Sequence, residues 1–531
     1  MKSYVKQITA VRFKTVWSIS KPIIFIFLLV NVIIVFRYRY RISIHRQISV
    51  YIPYKYNGSE NTSTNQANFQ ELQRHFRFHF KRERKARTDW WGILKPCFNN
   101  TDWGQVKPGW EKSQRTDAST SLIISQDIRP AREYSRLFIQ TKTKDGRLKS
   151  FGGDSWRVYL RGPASVSATV FDHDNGTYEA LFLLMEPGVY RVQVYLDYSL
   201  CDGLRNPPWD WFIKGNSNGK KQKKGSLGYL DDYLYRPLSS NLSITVQQPR
   251  HNMSLNDVLV PSSECKEYCA FLYDGYGRWI KKAWSPFLPS TFNTSKVLVK
   301  EASGTIVSYG DSLGLRFGNS MSGNPNIRKV YKQADYRYNW IYPIGSEAAE
   351  LKRNDDLDID VERIVSYIKK TLDQPSINTE HSTLVLNLGL HYAVTVNFST
   401  YQYVLERVLD LFFANQTLEH QGRQRARYKT NIIWKTTSQI KKENAGSLNE
   451  TSNRFFTAQR VQLFNAYATW RMCKAGIPVV DVHQVTLSYP PGPMDVVHYP
   501  NYVFKQAEDA LANFKRFYNN NISLIDRTCI Q

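Results

Sequence analysis

From residue 297 to the C-terminus, short apolar runs alternate with stretches of helical period, and this alternation limits the possible folds more than any other feature. Gly304-Thr-Ile-Val-Ser-Tyr309, Thr383-Leu-Val-Leu-Asn-Leu388, Asn431-Ile-Ile-Trp434 and Ile477-Pro-Val-Val-Asp481 read as buried strands. Between them Val361 to Leu372 reads as a helix, and Tyr401, Val404, Leu405, Val408 and Phe412 recur at helical spacing. A helix through Leu463 and Trp470 stops near Gly476, and Phe504 to Phe517 forms a last helix. Short apolar strands separated by helices predict a three-layer α/β domain with a parallel sheet.

Upstream the period changes. Ser121–Ser125, Ser155–Leu160, Val166–Val170, Tyr178–Phe182 and Tyr190–Leu196 alternate apolar and polar side chains, and Gly152-Gly-Asp154, Asp172–Thr177 and Glu186-Pro-Gly188 punctuate them as turns. Regular short strands of this kind predict an immunoglobulin-like β-sandwich. Trp279 and Trp284, in the connector that follows, are expected to pack rather than to carry a sugar.

The N-terminus carries a different signal. Residues 1–90 hold 17 Lys and Arg against 4 Asp and Glu, within a chain of formal net charge +25. The run Pro22–Phe36 is apolar except for Asn31 and, extended back to Val16, has the length of a bilayer-spanning helix. No small-residue cleavage site follows it, so an uncleaved signal anchor is expected. Flanking charge does not orient the span, but eleven Asn-x-Ser/Thr sequons follow it: Asn57, Asn61, Asn99, Asn175, Asn241, Asn252, Asn293, Asn397, Asn415, Asn449 and Asn521. They predict N-glycosylation and a lumenal C-terminal portion. All six cysteines also follow the span, an even number that suits disulfides in an oxidising compartment and leaves the pairing open. Cys265 and Cys269 have no second ligand pair at zinc spacing, so no metal is expected. Nucleic acid is not expected as a partner, because most of the chain is placed outside the cytosol. Residues 37–110 read as a basic stem, with His75 to Arg87 as a solvated charged face.

One constellation carries chemistry. Gly310-Asp-Ser-Leu-Gly314 follows a predicted strand and opens a predicted helix, where the backbone N–H groups of a helix start can stabilise oxyanion charge. A serine hydroxyl needs a base to act as a nucleophile. Asp495-Val-Val-His498 supplies His498 as that base and Asp495 to fix its tautomer. The five residues around Ser312 also match the elbow of α/β-hydrolases. The position of Ser312 after the first strand, and an acid only three residues before the histidine, argue against that fold.

Gly-Asp-Ser first and Asp-x-x-His last resemble the signature of SGNH/GDSL hydrolases. Ser308-Tyr-Gly-Asp-Ser-Leu-Gly-Leu-Arg316, Leu386-Asn-Leu-Gly-Leu-His391, Ile433-Trp-Lys-Thr-Thr437, Asn465 and Asp495-Val-Val-His-Tyr499 resemble the blocks of PC-esterase domains. Asp-x-x-Asn-Gly-Thr-Tyr followed by Pro-Gly-x-Tyr-x-Val-x-Val resembles a filamin-type repeat. With the anchor, these features resemble the neurexophilin and PC-esterase domain (NXPE) family over residues 110–531. Relatives by fold include plant cell-wall polysaccharide O-acetyltransferases and sialate O-acetyltransferases of the Golgi. The resemblance implies acetyl transfer to glycan hydroxyls, with acetyl-CoA as donor and no bound cofactor. It implies oxyanion donors from two middle blocks; no second-block glycine stands out, and Asn387 and Gly389 are the candidates in the third. Arg316, one turn after Ser312, either steadies an anionic substrate or pairs with a carboxylate. His391 is read as a core or rim histidine and a candidate for substrate contact; Trp434, Tyr499 and Tyr502 either stack on a sugar face or pack, the two readings being equal.

The expected fold class is therefore an SGNH-type three-layer α/β domain with a parallel sheet, preceded by a filamin-type β-sandwich and one N-terminal transmembrane helix. The expected division is 1–21 cytosolic tail, 22–36 anchor, 37–110 stem, 111–245 sandwich, 246–296 connector and 297–531 PC-esterase domain. The expected function is an O-acyltransferase of the Golgi or cell-surface membrane, acting on a glycan or glycoprotein that the basic surplus suggests is acidic. A hydrolytic O-acetyl esterase and a non-catalytic binding protein are the alternatives. Oligomeric state stays open.

Overall fold

The period-two stretches pair into two antiparallel sheets. In chain order the strands are β1 (Leu122–Asp127), β2 (Tyr134–Gln140), β3 (Ser155–Arg161), β4 (Ser165–Ser167), β5 (Thr169–Asp172), β6 (Thr177–Leu183), β7 (Gly188–Tyr198), β8 (Arg236–Pro237) and β9 (Leu242–Val246). The first sheet has the order β1-β2-β6-β5. In the second, β3 pairs with β4 and β7, and β7 also pairs with β8 and β9. Tyr134, Leu137 and Ile139 from one sheet share a buried core with Val158, Leu160, Val192 and Leu196 from the other.

This computed structural model describes residues 62–211, 222–223, 232–238, 242–250, 268–287, 301–343, 359–413, 426–445, 453–518 and 527–529. Asn68–Gln531 form one unit; Met1–Ala67 form another, of which only the start of a helix is described.

The α/β sheet adds β10 (Tyr268–Tyr273), β13 (Thr305–Gly310), β14 (Gln333–Tyr338), β15 (Thr383–Leu386), β16 (Asn431–Lys435), β17 (Val479–Val480) and β18 (Arg527–Cys529). Its order is β14-β13-β15-β16-β17-β10-β18. Strand β13 is buried along its whole length. Strand β15 is likewise buried throughout, which is why it reads as a nearly unbroken apolar run, as strands covered on both faces do. Helices Ser312–Gly323, Val361–Leu372, Phe398–Phe412, Ala458–Lys474 and Lys505–Tyr518 cover the sheet. Asp360, Asn397 and Thr457 cap three of them by accepting the N–H of Arg363, Thr400 and Arg460.

The expected fold class is corrected on three counts. The sheet is mixed, because β18 runs antiparallel to β10 at one edge. The sandwich does not simply precede the α/β layers. Strand β10 joins the α/β sheet beside β17, and the chain then returns to the sandwich as the hairpin β11 (Gly277–Ile280) and β12 (Ala283–Pro286), with β11 against β4. The expected transmembrane run 22–36 lies outside the described residues, and among the described residues no helix is long and apolar enough to cross a membrane.

The segment read as a solvated basic face is packed instead. Helix Thr62–Ala86 places Phe76 and Phe80 in the sandwich core, and each buried phenylalanine contributes roughly 1.5–3 kcal/mol. Its charges find partners: half-buried Arg82 holds Glu179 through two 2.9 Å hydrogen bonds, buried Arg84 pairs with Asp274, and buried Glu83 accepts from Thr169 and Tyr276. A disulfide joins Cys97 to Cys201 and another joins Cys269 to Cys473. The sequon residues Asn99 and Asn175 are exposed, and Asn397 is half-buried at its helix cap. The other eight sequons lie outside the described residues.

His75 and His79 meet edge to face at 4.5 Å in this helix. Burial, reinforced by Arg129 and Arg136 and opposed by Asp127, pushes His75 down to about 4. Burial, with His75, Arg136 and Arg82 against Glu179, pushes His79 down to about 3. Both rings are therefore neutral when docked and bind protons when released. Between pH 6.5 and about 4 the released state holds more protons, so docking weakens as pH falls through that window. Hydrogen-exchange protection over residues 69–86, corrected for the slower intrinsic exchange at lower pH, is expected to fall from pH 7 to pH 5. His79→Leu, which carries no charge at any pH, is expected to reduce that dependence.

Candidate active site

Strand β13 ends in Gly310, whose α-carbon faces β15 so closely that a Cβ would lie 2.9 Å from the Asn387 carbonyl oxygen. The chain turns there. Asp311, 2% exposed, accepts the Leu313 N–H at 2.9 Å and caps helix Ser312–Gly323. Ser312 is the first residue of that helix, so its backbone N–H has no intrahelical partner.

The other half of the site is an irregular turn before the last helix. Asp495 Oδ1 accepts the N–H of Val497 and of His498, each at 2.8 Å, and Oδ2 lies 2.6 Å from His498 Nδ1. Burial works against ionisation of Asp495, but these hydrogen bonds outweigh it and hold the carboxyl below its ordinary range. With Nδ1 donating to Asp495, the lone pair of Nε2 is left for the Ser312 hydroxyl. That Nε2 lies 2.9 Å from Ser312 Oγ, across 186 residues of sequence. The structure thus brings together the three residues that the motifs single out.

The oxyanion candidates fare differently. Asn387 Nδ2 donates to the Lys435 carbonyl at 2.8 Å and to Thr437 Oγ1 at 3.0 Å, while its Oδ1 is buried without a partner. The Lys435 carbonyl can only accept, so it fixes the amide orientation, and both donors are spent away from Ser312. Asn387 is corrected to a brace between β15 and β16. Gly389 caps helix Leu390–Thr395, and a Cβ there would fall 1.5 Å from Thr437 Oγ1. Its small size is therefore needed for the same brace. The remaining local donors are backbone groups of the Ser312 helix start.

Of the substrate candidates, Trp434 is 1% exposed, registered between Leu386 and Val479, and Tyr499 is 1% exposed with its hydroxyl donating to the Gln439 carbonyl at 2.8 Å. Both are corrected to packing residues. Tyr502 is exposed, its hydroxyl bonded to that of Tyr489. Arg316 is exposed, with no ion-pair partner among the described residues. His391 is half-buried and stacked on Trp340, centroids 5.1 Å apart at 17°, and burial lowers its pKa against the pull of Asp311.

Four residues at this edge carry no role in the sequence analysis. Trp340 donates to the Tyr338 hydroxyl at 2.6 Å, and Tyr338 is the register partner of Gly310, so the aromatic pair flanks the nucleophile turn. Asn339 ties its backbone N–H to the Gly310 carbonyl at 2.7 Å. Lys435 is fully buried over Phe317, and burial pushes it down to about 8, with Asp311 as the opposing charge. No sequence signal pointed to the aromatic pair, which lies 26 and 28 residues from Ser312 and reaches the turn only through the β13–β14 register.

A cavity of about 480 Å³ lies further along the same sheet edge, lined by Arg87, Trp156, Gln459, Asn465, Asp481 and His483; the triad does not line it. Among the described residues no cluster of three or more His, Cys, Asp or Glu can hold a metal. No family model matches the sequence. A solved structure described as the Lin-41 filamin domain is similar over 25% of this chain and 99% of its own, at 12% identity and a TM-score of 0.17, too low to carry an argument.

The brace is testable. Gly389→Ala is expected to destabilise the fold by about 1–3 kcal/mol through overpacking against Thr437. In chemical denaturation, Gly389→Ala combined with Thr437→Gly is expected to cost less than the sum of the two single changes.

Proposed function

We propose that this chain is a serine acyl-transfer enzyme that moves an acyl group, acetyl first among candidates, to a glycan hydroxyl through an acyl-Ser312 intermediate. The observation that carries the reading is the continuous relay Asp495–His498–Ser312, with contacts of 2.6 and 2.9 Å at the C-terminal edge of the sheet. The resemblance of its motifs to NXPE and PC-esterase sequences supports the choice of glycan and of acetyl-CoA as donor. The two disulfides favour an oxidising, lumenal or extracellular setting.

In the first half-reaction His498 Nε2 takes the Ser312 proton as Oγ bonds to the thioester carbonyl carbon. Asp495 stabilises the imidazolium, and the Ser312 N–H faces the developing oxyanion. The carbon–sulfur bond breaks and the thiolate recovers the proton. A glycan hydroxyl then attacks the ester, gives its proton to His498, and Ser312 leaves and is reprotonated. The Trp340–His391 wall suits a sugar face, and exposed Arg316, without an ion-pair partner among the described residues, suits an acidic substituent.

Hydrolysis of an acylated glycan is the second reading. It is favoured by the Asp495 side chain, which is 54% exposed, so that water reaches the triad. The test supplies acetyl-CoA labelled in the acetyl group together with sialylated or sulfated glycans. Label is expected on the glycan, with the rate falling on the order of 10⁴-fold in Ser312→Ala and severely in Asp495→Asn. Acetate release from acetylated glycan, with no transfer from any donor, would establish the esterase instead. Full activity in Ser312→Ala would remove both readings.

A further inference from the structure

We propose that the β-sandwich is part of the catalytic apparatus, with Arg157 acting through Glu443 and Asn444 as a positioning residue that holds the Asp495–His498 turn against Ser312. The inference rests on the serine-triad reading and gives the sandwich a task within it.

Ser312 is set by the sheet and its helix, but the acid–base turn has no such support. Residues 493–499 lack regular structure, and the Asp495 side chain is 54% exposed. What holds the turn is the loop after β16. The Lys441 N–H donates to the Val496 carbonyl at 2.9 Å. Asn444 Nδ2 donates to the Asp495 carbonyl at 3.0 Å and to that of Pro493 at 3.3 Å. The Gln439 carbonyl accepts the Tyr499 hydroxyl at 2.8 Å, one residue beyond the base.

That loop is itself irregular apart from the single turn Lys442–Asn444; the Thr486 hydroxyl accepts its Gln439 N–H at 2.9 Å and the Asn453 carbonyl its Lys442 Nζ at 2.8 Å, and its charged anchors at Glu443 come from the sandwich. Arg157 Nη1 and Nη2 donate to the two oxygens of Glu443 at 3.1 and 3.2 Å, and the Tyr233 hydroxyl donates to the same carboxylate at 2.9 Å. Lys442 Nζ donates to the Tyr198 hydroxyl at 3.0 Å. Arg157 is locked in turn by Asp197, which its Nη2 meets at 2.8 Å, and both are buried on the paired strands β3 and β7. Burial disfavours the Glu443 carboxylate, yet Arg157 more than offsets it and keeps the group ionised below its ordinary range. A two-toothed, charge-assisted contact fixes direction as well as distance. Proton transfer from Ser312 tolerates little error: a displacement of about 1 Å costs on the order of 10²-fold in rate. The sandwich thus sets the position of His498 through two hydrogen-bonded links, with no residue of its own at the reacting atoms.

The experiment uses the full chain and a fluorophosphonate probe, which needs no knowledge of the substrate. Ser312 Oγ bonds to phosphorus, the phosphorus–fluorine bond breaks, and the hydroxyl proton passes to His498. Mass spectrometry locates the adduct, and the second-order labelling rate is compared in the parent, Glu443→Gln, Asn444→Ala and Asn444→Gln. Asn444 is exposed, so its variants fold even if Glu443→Gln does not. The expected result is labelling slowed on the order of tenfold or more in Glu443→Gln and Asn444→Ala. Thermal midpoints are expected to stay near the parent, with loss of the far-downfield imidazole proton of the Asp495–His498 contact and partial recovery in Asn444→Gln. Parent-like labelling in Asn444→Ala, or slowing that only follows a lowered thermal midpoint, overturns the positioning role. A parent chain that never labels on Ser312 overturns the triad reading itself.

Discussion

The pairing of β13 between β14 and β15 decides where Ser312 and the residues flanking it sit. From β13 the chain crosses to β14 on one side and then returns to β15 on the other, both parallel to β13. The connection leaving β13 runs to β14 and the one leaving β15 runs the other way, to β16, so a crevice opens between the C-terminal ends of β13 and β15. Ser312 stands at that point, with Tyr338, Asn339 and Trp340 on the β14 side and Asn387, Gly389 and His391 on the β15 side. A nucleophile at the end of any strand between two neighbours wound in the same sense would have a loop folded over it.

The same constraint explains why the sandwich is bound so closely. The sheet edge beyond β15 needs cover, and the chain supplies it from residues far upstream. Arg460 reaches the carbonyls of Ala393 and Arg205, Thr457 donates to the Gly203 carbonyl at 2.6 Å, and Arg161 donates to that of Ser488 at 3.0 Å. These contacts pair charged or hydroxyl donors with backbone carbonyls at loop ends, groups that would otherwise be buried unpaired. With β10 in one sheet and β11 in the other, the two layers are woven rather than joined by a linker. The Cys269–Cys473 disulfide ties the first of these crossings to helix Ala458–Lys474.

Much of this was legible in the sequence, and what was not has a physical cause. Strands β13, β15 and β16 were readable because burial on both faces leaves an apolar run. Strand β14 was not, because it is an edge strand with half-exposed polar residues such as Gln333 and Asp335. The triad was readable because each half is a contiguous motif. Trp434 and Tyr499 were misassigned because an aromatic residue beside a motif looks the same in sequence whether it faces the cleft or the core. Helix Thr62–Ala86 was read as a solvated face because Arg82, Glu83 and Arg84 display charge in the sequence. Their partners Glu179, Tyr276 and Asp274 are named only by the fold.

The two halves of the triad obtain their precision differently, and this bears on which reaction the site can run. Ser312 inherits its position from a buried strand and a capped helix, whereas Asp495 and His498 are held at a wet surface by hydrogen bonds. Forming an acyl-serine requires only that these halves meet. What happens next depends on the second nucleophile, and water is always present at an exposed triad. Transfer therefore requires something the triad does not contain: an acceptor held in attack geometry long enough, and closely enough, to displace that water. The Tyr338–Trp340–His391 wall flanks the nucleophile turn through the register of Tyr338 with Gly310. On the proposed acyl-serine reading, the choice between transfer and hydrolysis lies in what that wall binds, not in Ser312, Asp495 or His498.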